Sequence, residues 1–171
     1  CRRSLHAFNR GFRQVEATQS RVLRQIVSDN QNSEYGRQHH FTKIQHVNDF
    51  RELVPTGDYE MFEPWINQIY RGRTGVLTTE PVQLLEPTSG SVSGRRLIPY
   101  TESLKRQFQA GINPWIANLF SARPALRHGR AYWMVSPPCE RQQTSGGLEI
   151  GFADDTQYLG LIGRLAAGRV M

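Results

Sequence analysis

The stretch Glu86-Pro87-Thr88-Ser89-Gly90-Ser91-Val92-Ser93-Gly94-Arg95-Arg96-Leu97-Ile98 places four hydroxyls, two glycines and two guanidinium groups between apolar ends. Residues 82–85 read as a strand that leads into it, and Leu97-Ile98 resumes the apolar pattern behind it. Such a loop suits phosphate. Glycine permits backbone N–H groups to converge on an anion, hydroxyls add neutral donors, and cations balance charge on a leaving pyrophosphate. The composition alone also fits a flexible Gly/Ser linker, but the position between two apolar runs argues for a structured bend.

Two better-known motifs fail at this place. A Walker loop needs four residues between its glycines and then Gly-Lys-Ser/Thr, whereas three residues separate Gly90 from Gly94 and Arg95 follows. A serine-hydrolase elbow needs serine at the centre of Gly-x-Ser-x-Gly, and the central residue here is Val92.

Upstream of the loop the texture is helical. Leu5, Phe8, Phe12, Val15, Val22 and Ile26 recur at three- and four-residue steps and predict one long helix with a buried stripe. Residues 30–36 end it with turn formers. Asn48-Asp49 caps a short helix that stops before Pro55, and Asp58 caps another. Pro64 fits the first turn of a renewed helix through Trp65, Ile66 and Ile69, closed by Gly72. After Gly72 short β-prone runs appear at residues 75–78 and 82–85. Downstream, Thr101 caps a helix whose stripe is Leu104, Phe108, Ile112, Ile116 and Leu119, with Pro114 expected to kink or divide it. Residues 131–135 read as a strand and the stretch to Gly147 as loop. Helices first, then strands mixed with helices, predict a mixed α/β class.

Composition narrows the function classes. The 171 residues carry a formal charge of +6, which raises the question of nucleic acid. The charge is not in one block: residues 1–50 hold eight basic residues against four acidic, residues 95–141 hold eight against two, and the stretch between is net acidic. No nucleic-acid partner is expected. No run of eighteen apolar residues occurs, and Cys1-Arg2-Arg3-Ser4-Leu5 lacks the apolar stretch of a secretory signal, so no membrane partner and a cytoplasmic location are expected. The first residue, Cys1, suggests that the chain begins inside a longer coding sequence. Cys1 and Cys139 form no metal-ligand spacing, and the adjacent side chains of His39 and His40 diverge, so no metal site is expected. Trp65, Trp115 and Trp133 sit among aliphatics and read as core or pocket wall.

The run Glu86-Pro87-Thr88-Ser89-Gly90-Ser91, with Leu97-Ile98-Pro99-Tyr100-Thr101 behind the loop, resembles the Ser/Thr-Ser-Gly-Thr/Ser phosphate motif of adenylate-forming enzymes, in the form used by auxin-responsive acyl acid-amido synthetases and their bacterial relatives. The likeness continues in order through Ser33-Glu34-Tyr35-Gly36-Arg37, residues 50–55, Tyr59-Glu60, Glu63-Pro64-Trp65-Ile66, Gly75-Val76-Leu77-Thr78, Ala131-Tyr132-Trp133, Gly151-Phe152 and Asp154-Asp155. The resemblance implies an enzyme that activates a carboxylic acid with ATP and Mg2+ as an acyl-adenylate and then passes the acyl group to an amino acid's amine. It implies that residues 1–171 are the N-terminal part of a large adenylation domain, mainly helical over 1–72 and strand, loop and helix over 73–171. Thr88, Ser89, Gly90, Ser91, Ser93, Gly94 and Arg96 then form the ATP-binding set, while catalytic residues remain unassigned.

The chain departs from that family at two points. Val92-Ser93-Gly94 stands where relatives carry Ser/Thr-Gly, and Arg96 stands where they carry a lysine, a planar fork in place of a point charge. The family's later motifs for adenine, ribose and magnesium, and its small C-terminal domain, do not occur within the 171 residues. The isolated chain is therefore expected to be inactive, with the magnesium ligands outside it. The alternative reading is a non-catalytic interaction or scaffold module.

Overall fold

The computed structural model describes residues 2–88, 96–128 and 142–151. The chain forms two compact units: Val15–Glu102 with Arg141–Gly151, and Cys1–Gln14 with Ser103–Glu140 and Phe152–Met171. The described elements are six α-helices, two 3-10 turns and four strands, in agreement with a mixed α/β class.

In the first unit, α2 (Val15–Asn30) leads to α3 (Glu34–Gln38), α4 (Val47–Leu53) and α5 (Tyr59–Tyr70). Thr79 ties down the end of α2: its Oγ1 donates to the Asp29 backbone carbonyl at 2.6 Å, and its N–H donates to the Asn30 side-chain Oδ1 at 3.2 Å. Ser33 caps α3, its fully buried hydroxyl accepting from Gly36 N–H at 2.9 Å and donating to Asn30 O at 2.7 Å. Two further N–H groups of α3, those of Glu34 and Tyr35, donate to the carbonyls of Gly75 and Val76. That pairing explains why residues 75–78, expected as a strand, are not one: their backbone acceptors serve a helix N-terminus instead of a sheet ladder.

Asp58 caps α5 as expected, accepting from Met61 N–H at 3.3 Å. Pro64, by contrast, lies inside one continuous helix and does not open a new one. Only its missing N–H is lost from the ladder. Gly72, with φ +90°, then ends the run.

Strands β1 (Leu84–Pro87) and β2 (Leu97–Tyr100) pair antiparallel, with Leu84 opposite Tyr100 and Pro87 opposite Leu97. Of the stretch to Gly147, expected as loop, residues 136–141 lie outside the described residues, and Gln142–Gln143 form β3, which pairs antiparallel with β4 (Glu149–Ile150) just beyond Gly147; β4 runs parallel to β1. The order is β2-β1-β4-β3. At the hairpin turn Gly146 N–H donates to Tyr70 O at 3.0 Å, which ties the turn to the end of α5.

Among the described residues the buried apolar side chains gather in two clusters. Val27, Tyr35, Phe41 and Ile44 form one cluster, and Ile69, Val76 and Leu85 a second; Trp65 and Leu77 pack against both. Each fully buried Leu, Ile or Val contributes roughly 1.5–3 kcal/mol of transfer free energy. On α2 the buried residue is Val27, while Val15, Val22 and Ile26 of the expected stripe are exposed.

In the second unit, α1 (Arg2–Arg13) is a separate helix, not the start of one long helix. Gln14 N–H returns to Gly11 O, one residue short of the α-helical partner, and the ladder stops there. Phe8 and Phe12 are exposed and stack on each other at 6.4 Å. Helix α6 (Glu102–Ala122) begins directly after Thr101 and passes through Pro114 undivided. Its buried residues are Pro114 and Ala117, not Phe108 and Leu119, which are exposed. Trp115, read as core or pocket wall, is 56% exposed. Residues 131–135 and Trp133 lie outside the described residues, as do Asp154 and Asp155.

Candidate functional site

The strand pair that precedes and follows the Ser/Gly segment is held closed at its mouth. Thr88 N–H donates to Arg96 O at 2.8 Å, one step beyond the Pro87–Leu97 pair. The chain therefore leaves β1 and returns to β2 at neighbouring points, with residues 89–95 between them. Of the expected phosphate residues, Thr88 and Arg96 are described; Ser89, Gly90, Ser91, Ser93 and Gly94 lie outside the described residues, as does Val92. The neck refines what Thr88 can offer. Its N–H is already committed to Arg96 O, so on this exposed residue the group left for an anion is the side-chain hydroxyl.

Arg96 has defined partners. Its Nη2 meets Glu60 Oε1 at 2.8 Å, and its guanidinium carbon sits 5.3 Å from the centre of the Tyr59 ring. Both side chains are well exposed to solvent, so the ion pair itself adds little stability. Glu60 is held below the usual carboxylate range first by its own backbone N–H, with burial opposing, and then by the hydrogen bond and charge of Arg96 and by Asp58. Tyr59 makes a tighter link: its hydroxyl accepts from Leu97 N–H at 2.8 Å and donates to Leu97 O at 3.3 Å. At the far end of β2, Tyr100 is pushed above the usual phenol range by burial and then by the charges of Glu102 and Glu86.

Sequence reading found the strand that enters the segment, the apolar run at Leu97-Ile98 behind it and Arg96, but gave Tyr59 and Glu60 no part in the site. They are 38 and 36 residues from their partners, and no periodicity connects a helix's first turn to a distant strand edge. Asp58, read as a cap, was the usable signal, because a capped helix start is a fixed place from which side chains project.

Among the described residues, no three of His, Cys, Asp or Glu come together to hold a metal ion. His39 is part of the packing: Nδ1 is 3.0 Å from Leu53 O and its ring is 4.3 Å from that of Tyr35. No described helix is long and apolar enough to cross a membrane. A cavity of about 100 Å3 lies between the end of α5, residues 74–78 and Leu148, and neither Thr88 nor Arg96 lines it.

Residues 4–160 match the GH3 family N-terminal domain. An indole-3-acetic acid-amido synthetase, GH3.8 of Oryza sativa subsp. indica, is 31% identical over 138 residues, which cover 78% of this chain and 22% of that protein. Another, GH3.2 of Arabidopsis thaliana, is 29% identical over 140 residues, covering 80% of this chain and 25% of the relative. The chain thus spans about a quarter of the length of the curated relatives it matches. A solved acyl acid amido synthetase in complex with 2,4-DB, AtGH3.15, superposes with a TM-score of 0.72 at 23% identity, over 91% of this chain and 26% of that one. This last likeness concerns the fold.

Proposed function

The chain belongs to the GH3 family, and from that premise we propose that it is the N-terminal part of the large domain of an ATP-dependent acyl acid-amido synthetase, the part that grips the nucleotide's phosphates. In the complete protein a carboxylate oxygen attacks the α-phosphorus of ATP and pyrophosphate leaves. An amino acid's amine then attacks the activated carbonyl, and AMP leaves as the amide forms. Little of the first step needs covalent help from the protein. What it needs is alignment and neutralisation of charge gathering on the β- and γ-phosphates.

The observation that supports the reading is the closed neck. Thr88 N–H and Arg96 O meet at 2.8 Å, so the two ends of the segment lie together on a strand pair, with an exposed hydroxyl at one end and a guanidinium at the other. These two ends fit a polyphosphate: the hydroxyl donates, the guanidinium carries charge, and the sequence between them contains further serines and glycines. Thr88, Ser89, Gly90, Ser91, Ser93, Gly94 and Arg96 are accordingly proposed as the ATP-binding set. Magnesium would supply charge to the phosphates, and its protein ligands are proposed to lie outside this chain. The chain alone is proposed to be inactive, and its cytoplasmic location is part of the same proposal.

Acid-dependent exchange of labelled pyrophosphate into ATP by the complete protein tests this directly. Ser89→Ala is expected to slow exchange about a hundredfold, the usual cost of removing one well-aimed donor. Exchange that is unaffected by Ser89→Ala would remove the segment from the reaction.

A further inference from the structure

We propose that Tyr59 and Glu60, on the first turn of α5, are positioning residues that fix the phosphate-binding segment from outside, an inference that rests on the phosphate reading above. Among the described residues β2 is an edge strand, in the order β2-β1-β4-β3. At an edge, every second residue turns its N–H and C=O away from the sheet, and such groups need another partner. At Leu97 both groups find the same one. The Tyr59 hydroxyl accepts from the N–H at 2.8 Å and donates to the C=O at 3.3 Å, which uses its single proton and one lone pair.

Glu60, the next residue, takes Arg96 at 2.8 Å, and the Tyr59 ring lies beneath the same guanidinium at 5.3 Å. Arg96 O in turn accepts from Thr88 N–H at 2.8 Å. The helix therefore holds the residue on which the segment returns, and through it the residue from which the segment departs. Asp58 fixes the helix start by accepting from Met61 N–H, so the clamp has a rigid base. Neither Tyr59 nor Glu60 needs to touch ATP. Their effect is to keep the Thr88 hydroxyl and the Arg96 guanidinium at a constant spacing, which lowers the ordering that a bound polyphosphate must impose.

Tyr59→Phe keeps the ring under Arg96 and removes only the hydroxyl. Two measurements on the 171-residue chain decide the matter: exchange of the Leu97 amide followed by NMR, and titration with MgATP, both at a temperature where wild type and variant are fully folded. Leu97 exchange is expected to quicken about tenfold, and the MgATP dissociation constant to rise about tenfold, the factor for about 1.4 kcal/mol. A purely structural hydroxyl would leave the dissociation constant of the folded variant unchanged, and that result overturns the positioning role. Unchanged Leu97 exchange overturns the clamp itself. Should Tyr59→Phe fail to fold, Glu60→Gln serves instead, with MgATP weakened about threefold by the loss of the charge that orients Arg96; unchanged affinity there has the same adverse meaning. If wild type binds no MgATP, the phosphate reading falls and the positioning role with it, while Leu97 exchange still reports whether Tyr59 holds β2.

Discussion

A Cβ placed on Gly146 would lie 2.2 Å from the amide nitrogen of Gly72. The hairpin turn and the end of α5 thus cross backbone to backbone, and Gly146 N–H seals the crossing by donating to Tyr70 O at 3.0 Å. Through this contact β4 is brought beside β1, on the side opposite β2.

Gly146→Ala is therefore expected to destabilise the chain by at least about 2 kcal/mol, because backbone, not a flexible side chain, would have to yield. Gly111→Ala makes the contrast: it lies in α6 with open space around it, and alanine there is expected to stabilise by roughly 0.5–1 kcal/mol. Urea unfolding of both variants checks the opposite signs.

Ser33 and Gly36 form a second such pair. The Ser33 hydroxyl, with no exposure, bonds Gly36 N–H and Asn30 O, so Ser33→Ala is expected to cost about 1–3 kcal/mol as a lost cap with buried groups left unmet. A Cβ on Gly36 would sit 2.1 Å from Asn30 O. Gly36→Ala is expected to cost at least as much as Ser33→Ala by chemical denaturation; a smaller loss would mean that the turn after α2 can move aside.

These two pairs also mark what sequence reading can and cannot reach. Turn formers at residue 30 marked the end of α2, and the apolar run at Leu84-Leu85 marked the strand that enters the loop. Residues 34–36, read with that turn, instead open α3; Asn48-Asp49, read as a cap, lie inside α4 behind its N-cap His46; and β2 was seen only as an apolar run at Leu97-Ile98. Asp58 was legible as a cap for the same local reason. The parallel pairing of β4 with β1 was not, since Leu85 and Ile150 are distant in sequence and the strands are two and four residues long. Nor was the exposure of Phe8, Phe12, Val22 and Ile26: a periodic stripe says which residues share a helix face, not what covers it. Gly11 was the overlooked sign that the long helical pattern breaks at Gln14. Tyr59 and Glu60 stayed hidden because their partners lie on a strand edge that only the fold brings near.

Acid should weaken the first unit through Asp49. Its carboxylate accepts from the N–H groups of Gln45 at 2.9 Å and His46 at 2.8 Å, and these bonds, Gln45 first, hold it below the usual Asp range, with burial opposing and the His46 charge assisting. Because the folded value is the lower one, the unfolded chain binds the proton first. The contribution is complete above the ordinary Asp value of about 3.9 and is lost as pH falls through the folded value. Glu60 acts in the same direction. Urea midpoints measured from about pH 6 down to about pH 2.5 should fall at the acid end, and Asp49→Asn should flatten that fall.

Leu85 is 0% exposed on β1, clustered with Ile69 and Val76, and Leu97 of β2 packs against that cluster. Leu85→Ala is expected to cost about 2–5 kcal/mol by thermal or urea unfolding. Because Leu85 sits two residues before Pro87, the same variant is expected to weaken MgATP binding even where it remains folded.

The most direct test of the phosphate assignment is a titration of the 171-residue chain with MgATP, followed at each backbone amide by NMR. Saturable shifts concentrated at Thr88, residues 89–95 and Arg96 are the expected result. Saturation with those amides unmoved, or no binding at all, would contradict it.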